Sequence, residues 1–502
     1  MEVATNNTAI LSYDVLILIF NWIRNDYQVL FHCSLVNSTF KEAATTYLYR
    51  KVTYSPAFSP VLDLRRNRDD FLDGFFASAR LPHNAPLVRR LEVSGYLSTR
   101  PPPLNKFHDQ LRSAVECWPN LQMIVFAPRQ YHESVFTEVV PLLPQLALLR
   151  SITVNAACSD EKHAPLLVEV RNLEVLTIES PTRAILQRLP DWLGELSKTL
   201  RILRLTHSCG SVTPGVLRSF IPHLQNVSAF ALGLSYSLTD NDVFEFWQEL
   251  PSLRSLEFRY YLQLRPSITP RLLHLRHLTV HYSNISTREH ANRFCRWVRR
   301  VISHSPLESL RLICENEVFG PAVSFDPLAE HLTLKHAMRL RILDMRDCFV
   351  GKGLFLALCR SCTSLEELRV SISQDTLDEF SSVASSLRRL HTVEFHIRNR
   401  KRRPPLPPAF VEMLMRSAPR LRRVAVDREH FEQAFRHLNG SVTSRGIFEG
   451  KYRPQCAGRP RRPFGAPVMQ ASTGVQSWYS NYRFPPDALP VHAALEGIRL
   501  AE

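Results

Sequence analysis

Long apolar runs are missing from these 502 residues. None approaches the roughly 18 residues that a membrane-spanning helix needs, so no such helix is expected. The start of the chain, Met1 to Thr8, has no basic stretch followed by an apolar core, so no secretory signal is expected there. Cysteine is sparse and without pattern, ten residues in all. That argues against a disulfide framework and for reduced thiols in the cytosol or nucleus. Asn-x-Ser/Thr triplets such as Asn226-Val227-Ser228 are then chance matches.

Signatures of catalysis are missing as well. No His-Glu-x-x-His, Gly-x-x-x-x-Gly-Lys-Ser/Thr or Gly-x-Ser-x-Gly is present. Gly351-Lys352-Gly353 lacks the third glycine of a dinucleotide loop and reads as a turn. Cys359-x-x-Cys362 has a metal-like spacing, but zinc needs four ligands and no second pair lies at a suitable distance. Its plainer reading is a pair of packing residues at the end of a helix. The nineteen histidines are dispersed. No catalytic residue, metal site or cofactor is therefore expected, and the chain reads as a non-enzyme.

What the chain does have is enough apolar material, 45% of residues, to fold around a core. It also has a formal net charge of +15, which permits a nucleic-acid, membrane-surface or acidic-protein partner without speaking to fold. Above all it has a repeat. The pattern apolar-x-x-apolar-x-apolar occurs as Val88-x-x-Leu91-x-Val93, Leu121-x-x-Ile124-x-Phe126, Leu149-x-x-Ile152-x-Val154 and Leu173-x-x-Leu176-x-Ile178. It continues at Leu200, Val227, Leu253, Leu275, Leu307, Leu340, Leu365, Leu390 and Leu421. The mean period is about 28 residues, at the long end of the leucine-rich range. The alternation within each copy predicts a short strand with one face inward. Helical stretches fill several intervals, namely 213–221, 239–250, 288–302 and 352–359. No copy can bury its own apolar face, so the copies must stack as parallel strands backed by helices. The expected fold is α/β, and the stack over 85–437 resembles an irregular leucine-rich-repeat horseshoe. A generic α/β arrangement is the alternative. The family's Asn/Cys position is filled only at Cys348, so a regular asparagine ladder is lacking.

The first fifty residues form a different unit. Val15, Leu16, Ile19, Phe20 and Ile23 recur at helical spacing, with Ser12 placed to cap the helix and Asp14 in its first turn. A second short helix carries Val29, Leu30 and Cys33, and a third starts near Ser38 and carries Phe40, Ala43, Ala44, Tyr47 and Leu48. Three helices this short cannot hide so many apolar side chains among themselves. The surplus face belongs either to a partner or to the rest of the chain. The segment also resembles an F-box, in particular the fungal form with Leu-Pro-x-Glu-Ile-Leu-x-x-Ile-Phe, then Cys-Ser-Leu-Val, then Leu-Tyr-Arg-x-Val. The matches here are Leu11, Asp14, Val15, Leu16, Ile19, Phe20, Cys33, Ser34, Leu35, Val36, Phe40, Leu48, Tyr49, Arg50 and Val52. Ser12 stands where the family has proline. The resemblance implies docking onto the Skp-type adaptor of a cullin-RING ubiquitin ligase through Leu11, Val15, Leu16, Ile19, Leu35, Val36 and Phe40. The chain would then be the substrate receptor of an SCF-type ligase, in the cytosol or nucleus, with an F-box domain over 8–54 and a linker over 55–84. A repeat scaffold outside any ligase and a basic nucleic-acid binder are the alternatives.

In a repeat of this kind, the positions flanking the inward strand residues line an exposed face. They include Arg204, Arg259, His281, Arg311, Arg346 and Arg369, among Glu257, Asp344 and Glu394. Guanidinium groups pair with carboxylates and phosphates, so a target with an acidic or phosphorylated segment is expected. Alternatively these charges pair with one another. The basic, proline-rich run 398–408 reads as a loop, either a nuclear-import or anion-binding patch or simply solvated. The tail 438–502 reads as mostly unstructured, with Trp478, Tyr479, Tyr482 and Phe484 as its apolar points.

Overall fold

Each of the apolar patterns becomes a strand, β2 to β14 in chain order, in a computed structural model that describes residues 11–55, 76–96, 104–129, 136–261, 267–283, 285–315, 323–398, 406–427, 429–438 and 441–450. The chain divides into two compact units, the first running through Leu200 and the second from Arg201. The stretch 85–437 is thus shared between them.

The first unit opens with three helices, α1 (Tyr13–Trp22), α2 (Tyr27–Ser34) and α3 (Ser38–Leu48). Ser12 sits at the start of α1 but its side chain makes no cap bond. Asp26 and Asn37 do cap, accepting from the Val29 and Phe40 amides at 3.0 and 2.9 Å. The core of this head is Leu16, Phe20, Leu30, Ala43, Ala44 and Tyr47, with Phe40 partly buried against it. The Tyr47 hydroxyl donates to the Ile17 carbonyl at 2.8 Å and ties α3 to α1. Directly after α3 comes β1 (Lys51–Tyr54), which pairs in parallel with β2 (Arg90–Tyr96). β3 (Met123–Arg129), β4 (Ser151–Val154) and β5 (Val175–Glu179) follow in parallel. The last residues of the head therefore belong to the sheet, because the β-branched pair Val52 and Thr53 is buried as a strand beside the first repeat.

The second unit stacks β6 (Ile202–Ser208), β7 (Ala229–Leu234), β8 (Ser255–Tyr260), β9 (His277–Tyr282), β10 (Ser309–Cys314), β11 (Ile342–Phe349), β12 (Glu367–Ile372), β13 (Thr392–Ile397) and β14 (Arg423–Val426), all parallel. Two residues of each strand point into the core, as in the row Leu203, Phe230, Leu256, Leu278, Leu310, Leu343, Leu368, Val393 and Val424, all at most 1% exposed. The intervals at 213, 239, 288 and 352 hold helices, Pro214–Phe220, Asp240–Gln248, Arg288–Ile302 and Lys352–Ser361. Thr213, Thr239 and Thr287 cap the first three through their side chains. Phe294 and Trp297 of one helix pack against Phe258, Tyr260 and Tyr282 of β8 and β9. At the start of the strands, one backbone carbonyl just before a strand accepts two amides from the next repeat. Arg254 O takes the Arg276 and His277 amides at 2.8 and 2.9 Å, and Arg276 O takes those of Glu308 and Ser309 at 2.8 and 2.9 Å. Such pairing satisfies the polar backbone where the turns would otherwise leave it buried and unbonded.

The sheet does not stop at residue 437. β14 continues antiparallel into β15 (Glu429–Leu438), which pairs with β16 (Ser441–Gly450). This corrects the reading of 441–450 as unstructured tail: a hairpin can form wherever an edge strand supplies free backbone groups, and its sequence need not continue the repeat. Residues 399–405 of the basic run, 56–75 of the linker segment and 451–502 of the tail, with Trp478, Tyr479, Tyr482 and Phe484, lie outside the described residues.

Candidate functional site

The head carries two apolar faces on one helix. Leu16 and Phe20 turn inward, while Leu11, Val15, Leu18, Ile19 and Trp22 are 43%, 40%, 66%, 42% and 89% exposed. Val15, Leu18, Ile19 and Trp22 follow the spacing of one stripe of α1, and Leu11 lies two residues before the helix. Leu35 and Val36, in the turn between α2 and α3, are 68% and 62% exposed. So many large apolar groups facing water mark a contact surface. Of the seven residues that the F-box resemblance implies as contacts, Leu11, Val15, Ile19, Leu35 and Val36 lie on the surface. Leu16 is a correction: at 1% exposed it is core, because it faces α3 and not solvent. Phe40 is half-buried and stacks edge-on with Phe20. Leu18 and Trp22 went unassigned in the sequence, although the α1 spacing that selects Val15 and Ile19 also selects them.

The strand face of the second unit is a row of charges in register. Arg204, Ala231, Glu257, Thr279, Arg311, Asp344, Arg369, Glu394 and Ala425 are successive lateral partners. Their signs largely cancel. Arg204 reaches across the short side chain of Ala231 to pair with Glu257, which also holds His281 at 2.9 Å. Arg259 pairs with Glu315. Asp344 accepts two bonds from Arg346, at 3.1 and 2.7 Å, and one from Arg369 at 3.1 Å. Glu394 lies 3.4 Å from Arg369, 3.7 Å from Arg346 and 3.6 Å from His396.

These pairs are not equivalent. Burial works against the Asp344 and Glu394 carboxylates, yet the surrounding hydrogen bonds and guanidinium charges win. Asp344 is held below its ordinary pKa by Arg346 and Arg369, and Glu394 is held at about 2 by His396, Arg346 and Arg369. Burial wins at the other pair: it raises Glu315 despite Arg259 and His281, and it lowers Arg259 despite Glu315. A shared network thus stabilises its charges where a more isolated buried pair costs desolvation.

Of the two readings of this face, the pairing of its charges with one another is the one seen in the geometry, and target binding by these arginines is untested by it. Arg204, His281, Arg346 and Arg369 are engaged by carboxylates on the strands, and Arg259 by Glu315 just past β10. Of the six, Arg311 is exposed and has no ion pair among the described residues. Glu315, the partner of Arg259, was missed because it lies just past the end of β10, outside the strand pattern.

Cys359 and Cys362 are fully buried, and burial pushes the Cys362 thiol up to about 12. Among the described residues no three His, Cys, Asp or Glu side chains are grouped to hold a metal ion, and no helix is long and apolar enough to cross a membrane.

No protein-family model matches the chain, and no curated protein matches it. Solved structures do. The yeast Rad7–Elc1 complex matches at 14% identity with a TM-score of 0.35, covering 82% of this chain and 88% of that one. The leucine-rich-repeat protein LegL7 from Legionella pneumophila matches at 13% identity and a TM-score of 0.31, covering 73% of this chain and 96% of its own. The TLR13–ssRNA13 complex matches at 15% identity and 0.27, covering 68% and 43%. The fold itself is of the leucine-rich-repeat type, parallel strands alternating with helices behind a three-helix head. TM-scores this low leave the functional reading to the chain's own residues.

Proposed function

We propose that this chain is a non-catalytic receptor subunit of an SCF-type cullin-RING ubiquitin ligase, acting in the cytosol or nucleus. The three-helix head would bind a Skp-type adaptor and the repeats would hold a target protein near the transferring enzyme, so that the chain contributes proximity and not chemistry. The observation that carries the reading is the second apolar face of α1, where Val15, Leu18, Ile19 and Trp22 face solvent, with Leu11 exposed just before the helix, although the head has a core without them. The F-box-like residues of the segment supply the partner class. For the target, the self-paired strand face argues for recognition by shape and mixed charge, with Arg311 as its uncommitted cation.

The test is binding of the purified full chain to a Skp-type adaptor, alongside Ile19→Asp/Leu35→Asp. Both side chains are exposed, so the double variant keeps the head's core and its thermal unfolding. Binding weakened by at least about 100-fold is expected, since central apolar contacts dominate such interfaces. No binding by the folded parent chain would remove the ligase and leave a free scaffold.

A further inference from the structure

The strand face nearly cancels its own charge, so the excess of cations lies elsewhere. In the second unit several exposed arginines sit along the edge where the strands begin. Along the carbonyl ladder there the successive residues are Arg254, Arg276, Glu308, Arg341 and Glu366, and the three arginines are exposed. Arg276 and Arg341 pair with Glu308 at 3.1 and 3.8 Å, and Arg341 with Glu366 at 2.8 Å. Arg254 and Arg339 are exposed and have no ion pair among the described residues. Burial lowers the pKa of His277 beside this edge, with Glu308 opposing and Arg276, Arg311 and Arg341 adding to the fall.

The same edge carries bare apolar groups. Leu273, ahead of β9, is 61% exposed, and Leu334 and Met338, ahead of β11, are 74% and 79% exposed. β9 and β11 flank β10, so Leu273 on one side and Leu334 and Met338 on the other lead into strands about 10 Å apart. Apolar prongs between guanidinium groups have no counterpart on a phosphate backbone. None of these exposed prongs is aromatic, so stacking on bases is not provided for. Arginine, leucine and methionine together suit a protein surface, and arginine forks suit carboxylates.

We propose that this edge, independently of the adaptor-binding head, docks an acidic segment of a partner protein whose carboxylates meet Arg254 and Arg339 and whose apolar side chains cover Leu273, Leu334 and Met338. The probe is a labelled amphipathic peptide of Glu, Asp and Leu, titrated by anisotropy onto the full chain, with a labelled DNA duplex of similar charge titrated in parallel. Leu334→Ser/Met338→Ser and Arg254→Glu/Arg339→Glu change only exposed side chains, and each pair tests the edge separately should the other fail to fold. Each is expected to weaken the peptide about tenfold, the first by removing apolar burial and the second by charge reversal. Ile19→Asp/Leu35→Asp is expected to bind the peptide as the parent does, which separates this edge from the ligase reading. The proposal is overturned if the parent does not bind the peptide, if the apolar pair leaves its affinity unchanged, or if DNA binds more tightly than the peptide.

Discussion

Replacing Arg369 by methionine keeps a long apolar stem but removes one of the cations shared by two buried carboxylates, Asp344 and Glu394, which keep Arg346. Asp344 and Glu394 are 4% and 8% exposed, and Arg369 lies within 3.4 Å of both. Glu394 titrates at about 2 in the fold against 4.5 as its ordinary value. A depressed carboxylate stabilises the fold in full above its unfolded pKa and loses that contribution as pH falls toward the folded one. The difference corresponds to about 3 kcal/mol, shared among the three groups that hold it down. Breaking a buried pair leaves its charge less compensated, so Arg369→Met is expected to cost about 2–3 kcal/mol at pH 7. For a unit of this size that lowers the midpoint of thermal unfolding by roughly 4–12 °C. Urea unfolding of the full chain, followed by tryptophan fluorescence, measures it directly. The deficit should shrink as pH drops below the ordinary glutamate value of 4.5, because Glu394 is then protonated. Arg369→Met/Glu394→Gln should recover part of the loss, since Asp344 retains Arg346. A cost below about 0.5 kcal/mol, the range of ordinary surface substitutions, would refute the network's role. So would a deficit that does not change with pH, or strict additivity in the double variant.

Other outcomes follow from single sites. Leu16→Ala removes a fully buried side chain from the head and should cost about 2–4 kcal/mol, with loss of helical signal from the head by circular dichroism and hence of adaptor binding. Asp240 is raised to about 6, chiefly by burial and against its 2.8 Å bond from the Trp297 indole, so its contribution is present below the ordinary 3.8 and lost as pH rises through 6. Asp240→Asn keeps an acceptor for Trp297 and should stabilise the chain by about 1–2 kcal/mol at pH 7, and remove that pH dependence from its urea midpoint. A Cβ on Gly233 would lie 2.3 Å from the His207 carbonyl, where His207 already has a φ of 61° beside the bulge of β6, so Gly233→Ala should cost about 1–3 kcal/mol in the same unfolding assay.

Much of this molecule is present in linear order. Strand positions follow from an apolar alternation repeated at a nearly constant period, because each copy must present the same two side chains to a shared core. Helix Arg288–Ile302 was legible to the residue, since Thr287 caps it and its apolar stripe is continuous. The head's three helices were legible from their apolar spacing, although Ser12, read as the cap of α1, makes no cap bond and the caps of α2 and α3 are Asp26 and Asn37. What was not legible is which of two apolar stripes on α1 is the inside: Leu16 and Ile19 are equally apolar and both fit helical spacing, and only the placement of α3 buries one and leaves the other in water. Nor does local pattern mark β1 or β16, whose strand form depends on the edges they join.

The charged face shows the division most clearly. Sequence alone put Arg204, Glu257, Arg346, Asp344, Arg369 and Glu394 on one face, because alternation decides the side of a strand. Whether those charges await a target or satisfy one another depends on register across neighbouring strands, and Arg204 meets Glu257 only because Ala231 is small enough to reach across. Pairing between residues 53 positions apart is a property of stacking, and stacking exists only in three dimensions.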